Sequence, residues 1–113
     1  MEVIEKPWGK EEVIEINESY MVKRLTMYKK HRCSLQFHNH KKETIYVLNG
    51  RLKIIFGPDD DSLSEEIFTP GQSMTIMPGV VHRMEAEEES IYLEASTPEM
   101  DDVVRLVDDY NRS

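Results

Sequence analysis

The chain has 113 residues, 39% of them apolar and 32% charged, and 14 Lys and Arg stand against 22 Asp and Glu for a net charge of −8. This length suits one compact domain spanning residues 1–113, and the apolar share is enough for a core, so a disordered chain or a second core is excluded. The acidic balance opposes binding to nucleic acid or anionic membranes, and no apolar run approaches the roughly 20 residues that cross a bilayer.

Residues 1–6 mix acidic and basic side chains and lack the apolar stretch of a secretory signal, so the cytoplasm is the expected compartment. From about residue 11 to residue 96, apolar and polar residues alternate with period two. The alternation predicts short strands at 12–16, 20–28, 33–38, 43–48, 51–56, 66–69, 73–77, 82–85 and 90–95. Asn49-Gly50 between two of these runs predicts a two-residue hairpin, while Gly57-Pro58, Pro70-Gly71 and Pro78-Gly79 mark loops and turns. The acidic runs at 59–61, 65–66, 85–89 and 101–102 read as solvated loops and outer faces. Residues 100–111 space Val103, Val104, Leu106 and Val107 above paired aspartates, which fits either a short helix or an extended tail. The pattern as a whole is that of a small antiparallel sandwich or barrel, and its open edges make a homodimer the expected assembly.

Charge is unevenly spread. Residues 23–42 hold seven Lys or Arg, three of the four histidines and no Asp or Glu, leaving seven basic and 22 acidic groups to the rest of the chain. Within this block, strand parity places Ser34, Gln36, His38 and His40 on one face and Leu35 and Phe37 on the other, and carried further back it adds Arg32 to the polar face. A face with two histidines, an amide and a hydroxyl suits a wet pocket inside a barrel. Two histidines at i and i+2 can share a metal ion, Glu43 can turn its carboxylate into the same site, and His82 can supply a fourth ligand. Three imidazoles and a carboxylate suit one divalent ion among Zn, Mn, Fe, Co and Ni. The lone Cys33 cannot form an internal disulfide and reads as a small buried residue. The methionines, Met74, Met77 and Met84 among them, read as core filler.

The spacing H-x-H-x2-E-x6-G from His38 to Gly50, followed by G-x7-G-x2-H from Gly71 through Gly79 to His82, resembles the paired motifs of the cupin superfamily. Trp8-Gly9-Lys10, Val22-Lys23-Arg24, Ser34-Leu35-Gln36-Phe37-His38, Val81-His82-Arg83 and Asp101-Asp102-Val103-Val104-Arg105-Leu106 are similar to the type II mannose-6-phosphate isomerase family. That family also forms the C-terminal domain of bifunctional mannose-1-phosphate guanylyltransferases. The chain departs from the family's pattern at Thr44-Ile45, Met77 and Ala86, while the four proposed ligands are kept.

The resemblance implies an all-β, single-domain jelly-roll barrel and metal-dependent aldose–ketose isomerisation of a sugar phosphate. It implies no nucleotidyltransferase activity for these residues. Such a reaction moves a proton between adjacent carbons, for which Glu43 and Glu94 are the candidate bases. The phosphate needs cationic anchors, with Arg32 foremost, then Lys23, Arg24 and Arg83, while Ser34 and Gln36 would bond sugar hydroxyls. Trp8 is expected to plug one end of the barrel. Two other functions fit the same residues: a non-catalytic cupin binding a sugar or nucleotide sugar, and an iron-dependent oxygenase.

Overall fold

The structure, a computed structural model, describes residues 1–110, so Asn111 at the end of the predicted tail lies outside the described residues. Nine strands form a single antiparallel sheet: β1 (Glu2–Lys6), β2 (Gly9–Ile16), β3 (Met21–Met27), β4 (Leu35–Phe37), β5 (Glu43–Gly57), β6 (Ser64–Phe68), β7 (Ser73–Ile76), β8 (Val81–Ser96) and β9 (Val104–Val107). The described residues contain no helix, and so none long and apolar enough to cross a membrane. The all-β expectation holds, and the tail is extended rather than helical.

Two long strands form the spine. β5 and β8 pair from Glu43↔Ser96 to Gly57↔Val81, and the sheet curls around this ladder in the order β1-β2-β3-β8-β4-β9, with β6 and β7 on the other side of β5. Each spine strand joins two strands predicted separately. In β8 the acidic run 85–89 stays in the ladder because β5 meets it with cations: Arg51 Nε lies 2.8 Å from Glu87 Oε1, and Lys53 Nζ lies 3.8 Å from Glu85 Oε2. In β5 the expected hairpin at Asn49-Gly50 is a bend within one strand, with pairing to β8 shifting register on either side of Asn49. Gly50 has φ +92, and a Cβ there would lie 2.4 Å from the carbonyl oxygen of Glu89, so only glycine fits this bulge. The expected hairpin is therefore not formed, because β8 pairs with β5 on both sides of the bend.

β1 is a strand that period-two reading did not find, because its apolar positions are few and its other residues are charged. It folds back on β2 through Pro7-Trp8, with Lys6 opposite Gly9. Trp8 is buried in the same core cluster as Leu25, Met27 and Cys33. Ile45, Val47, Leu52 and Ile54 of β5 are fully buried on one face. Met84 is buried and Met74 packs against the core, but Met77 is half exposed, since the strand that would have buried it ends at Ile76.

Tyr92 of β8 is fully buried, and its hydroxyl finds no hydrogen-bond partner among the described residues. Burial pushes its ionisation well above the ordinary range, so it stays neutral. A partnerless buried hydroxyl costs more than a ring edge, so Tyr92→Phe is expected to raise stability by about 1 kcal/mol in urea unfolding, and a clear loss would contradict the orphan state.

Candidate metal centre

Three of the four predicted ligands meet inside the curl. His38 follows the last residue of β4, Glu43 opens β5, and His82 is the second residue of β8, opposite Gln36 of β4. All three are buried, and their ligand atoms lie within 4.8 Å of one another. His82 Nε2 is 3.0 Å and His38 Nε2 3.6 Å from Glu43 Oε1. Each ring is held from behind by a carbonyl that can only accept. His82 Nδ1 donates to the Val80 oxygen at 2.9 Å, and His38 Nδ1 donates to the main-chain oxygen of Asp102.

With Nδ1 carrying the proton, a neutral ring turns its Nε2 lone pair toward a carboxylate. His38 Nε2, His82 Nε2 and both Glu43 oxygens are accordingly buried without hydrogen-bond partners. Lone pairs and anionic oxygens facing one another at this range need a cation between them. Ligands about 2.1 Å from a tetrahedral ion stand about 3.4 Å apart, which the two separations bracket. The residues fit a divalent ion.

Further buried charge lies beside Glu43. Lys41 Nζ lies 2.9 Å from Glu94 Oε2 and 3.5 Å from Glu43 Oε2, and both partners are buried. Farther along, Lys23 and Lys6 bracket Glu11 at 2.7 and 3.2 Å. Burial works against the charge of Glu43, but in the metal-free state N–H donation from the two rings, which a metal ion would replace, and the Lys41 ammonium outweigh it and hold the carboxyl well below the usual range. Glu94 goes the other way: burial, then the charge of Glu43, raise it despite Lys41. For Lys41, burial is outweighed by Glu94 and Glu43, which hold the ammonium in its charged form. Lys41 and Glu94 border a cavity of about 250 Å³ whose walls also include Trp8, Lys23, Ser34, Gln36 and His38.

His38 is raised above its ordinary 6.5, because Glu43 and the Asp102 carbonyl favour the imidazolium more than burial opposes it. Its proton therefore stabilises the metal-free fold below about pH 6.5, and that contribution disappears as pH rises through the elevated value. Glu43 acts in the opposite sense: its contribution is present above its ordinary 4.5 and disappears only in stronger acid. A metal ion must displace the His38 proton, so affinity for Co²⁺ is expected to rise by about tenfold per pH unit below the His38 value and to level off above it. Titrations at a series of pH values check this, and a flat profile would contradict it.

The predicted site residues divide into two groups. Ser34 and Gln36 line the cavity with His38, as alternation required, and Lys23 and Glu94 line it too. His40 does not join the ligands: β4 stops at Phe37, the chain bends at Asn39-His40, and the His40 side chain is exposed. Arg24 has the opposite parity to Lys23, faces out and pairs with Glu12 at 2.9 Å. Arg32 lies outside β4, where parity from that strand no longer applies, and it binds Asp109 at 2.6 Å and Glu85 at 3.6 Å on the outside. Arg83 is buried and its Nε donates to the Cys33 carbonyl at 3.0 Å, but it is not among the residues that line the cavity. Cys33 is buried beside it, and burial pushes its thiol up to about 11, so it is inert as a nucleophile.

Sequence reading missed Lys41, Glu11 and Asp102. Lys41 had a partial signal, since it and Lys42 are the two cations enclosed between His38 and Glu43. Glu11 sits on the inner parity of β2 with Val13, whereas nothing local marks Asp102.

A curled antiparallel sheet holding a His-His-Glu centre defines a cupin. The RmlC-like cupin from Shewanella frigidimarina NCIMB 400 superposes with a TM-score of 0.75 at 20% identity, covering 88% of this chain and 86% of that one. Bacillus subtilis oxalate decarboxylase gives 0.80 at 18% identity, covering 94% of this chain and 30% of the other. Within that class, residues 1–108 match the family model described as mannose-6-phosphate isomerase C-terminal, and the chain belongs to this family. It is 34% identical over 113 residues to the mannose-1-phosphate guanylyltransferase of Escherichia coli K12, spanning 95% of this chain but only 22% of that protein.

Proposed function

We propose that the chain is a metal-dependent isomerase interconverting an aldose and a ketose phosphate of the mannose 6-phosphate/fructose 6-phosphate type. The observation that carries this reading is the buried Glu94–Lys41 pair on the same cavity as His38, with Lys41 also 3.5 Å from the ligand Glu43, in a member of a family described by its isomerase activity. A divalent ion held by these three ligands would supply Lewis acidity where negative charge develops on the sugar oxygens.

The remaining work falls to side chains. Glu94, its proton affinity raised by burial, takes the proton from C2 and returns it to C1, while a proton passes between the two oxygens, so the enediol forms and collapses without net loss or gain. Lys41 holds the Glu94 carboxylate in place. Glu43, held well below the usual carboxyl range, is a poor proton acceptor and serves as a ligand rather than as the base. Ser34 donates to Gln36 Oε1 at 2.7 Å, which leaves the Gln36 amide N–H groups to bond sugar hydroxyls. Of the predicted anchors, Lys23 faces the cavity and takes the phosphate.

The test is incubation of metal-loaded protein with mannose 6-phosphate or fructose 6-phosphate in D₂O, read by NMR. Deuterium should enter at C1 and C2, and Glu94→Gln should slow its entry by about 10²- to 10⁴-fold. Binding of the sugar phosphate without any exchange would leave a non-catalytic sugar-binding cupin. Activity with iron alone, together with oxygen uptake, would favour an oxygenase.

A further inference from the structure

The three ligands are held in unequal ways. Glu43 and His82 lie within the β5–β8 ladder, whose register fixes both. His38 lies outside any strand, and residues 38–42 run irregularly from β4 to β5. A few contacts hold this stretch at its ends: the His38 carbonyl accepts from Gly79 N–H at 2.8 Å, and Lys42 N–H donates to Thr97 Oγ1 at 3.0 Å.

Its middle is held by one distant residue. The main-chain oxygen of Asp102 accepts from His38 Nδ1, its Oδ1 accepts from Asn39 N–H at 3.0 Å, and its Oδ2 accepts from the N–H groups of His40 and Lys41 at 2.6 and 2.9 Å. Three consecutive amides therefore converge on one carboxylate. Lys41, at the end of that turn, then reaches Glu94 and Glu43. Asp102 is carried by the segment between β8 and β9, and among the described residues β9 pairs only with β4, the strand that ends one residue before His38.

We propose that Asp102 is the positioning residue of the metal centre: its main-chain oxygen orients the His38 ring, and its carboxylate fixes the turn at residues 39–41 that places Lys41 against Glu43 and Glu94. This role presupposes the metal-binding reading above. It demands a carboxylate, since both oxygens face only N–H donors and an amide would turn a donor toward one or two of them. With the turn loosened, His38 loses its set direction and the ammonium that neutralises Glu43 and Glu94 moves away.

Asp102→Asn and Asp102→Ala are compared with the unaltered chain for Co²⁺ affinity and for the visible absorption of bound Co²⁺. Thr97→Val serves as a control, because it removes a hydrogen bond from the same segment without touching residues 38–41. Thermal unfolding of the metal-free proteins is followed alongside, and if the alanine variant does not unfold cooperatively, the near-isosteric asparagine variant decides. Asp102→Asn is expected to weaken Co²⁺ binding by about 10- to 100-fold and to alter the band, with Thr97→Val staying within about twofold of the unaltered chain. Unaltered affinity and absorption in the Asp102 variants would overturn the assignment. So would an equal loss in Thr97→Val, because general loosening of the segment would then suffice. If the unaltered chain binds no Co²⁺, the metal reading falls and this role with it, whereas indifference confined to the variants leaves the metal reading standing.

Discussion

His82→Ala should lower affinity for a divalent ion by more than about 100-fold, beyond the usual cost of losing an outer-shell partner, and should end hydrogen exchange on a hexose phosphate. His82 is fully buried, its ring is fixed through Nδ1, and its Nε2 stands 3.0 Å from Glu43 Oε1. Removing it leaves two ligands, of which only Glu43 remains in a regular ladder. His40→Ala is the informative companion. Its ring is exposed on a bend, so affinity should stay within about twofold if metal affinity follows the ligand shell. Competition against a metal-sensitive dye gives both values. Retained affinity in His82→Ala would refute the three-ligand centre, and an equal loss in His40→Ala would restore the four-ligand arrangement expected from sequence.

Lys41→Met should cost about 3–5 kcal/mol at neutral pH, the usual result of leaving a buried charge without its partner. Glu94 and Glu43 would then face each other across the gap, and Glu94 already has a raised proton affinity. A carboxyl whose folded value is raised stabilises the fold fully below its ordinary 4.5, and that contribution is lost as pH rises through the folded value. The penalty in Lys41→Met should therefore shrink as the solution is acidified from neutral pH through that value. Adding Glu94→Gln removes the stranded charge and should recover most of the loss, so the double-mutant cycle should show strong coupling between the two positions. Urea unfolding at two pH values measures all of this. A loss under about 1 kcal/mol with no pH dependence would place the pair among weak, solvated ion pairs.

Much of this centre was legible in the sequence, and the reasons differ residue by residue. His38, Glu43 and His82 stood at spacings that a curled sheet converts into proximity. Ser34 and Gln36 followed by alternation, which holds wherever a strand is regular, whereas sequence left the choice between Lys23 and Arg24, and the direction of Glu94, to the structure. His40 and Arg32 were misplaced because alternation was carried beyond β4, and side-chain direction becomes a matter of loop geometry once the ladder stops. Lys41 was hidden by the ordinary expectation that lysine is exposed; its burial depends on two carboxylates brought from β5 and β8. Asp102 could not be read at all, because its partners are main-chain amides more than 60 positions away. The fold was misread mainly at Asn49-Gly50, where a local turn signal met a tertiary ladder that kept both flanking segments in one strand.

That bent strand limits where the chain can be lengthened. A true hairpin at Asn49-Gly50 would be a natural place for a tag, a graft or a new terminus. Here one added residue would shift residues 51–57 by a single step against β8, sending the fully buried Leu52 and Ile54 outward and Arg51 and Lys53 inward. Glu43, before the bend, would keep its place while the pairing opposite His82 was lost, separating two ligands without changing either of them. The polar loop between β5 and β6, with exposed Asp59, Asp60 and Asp61, carries no such coupling and is the better point for fusion or circular permutation.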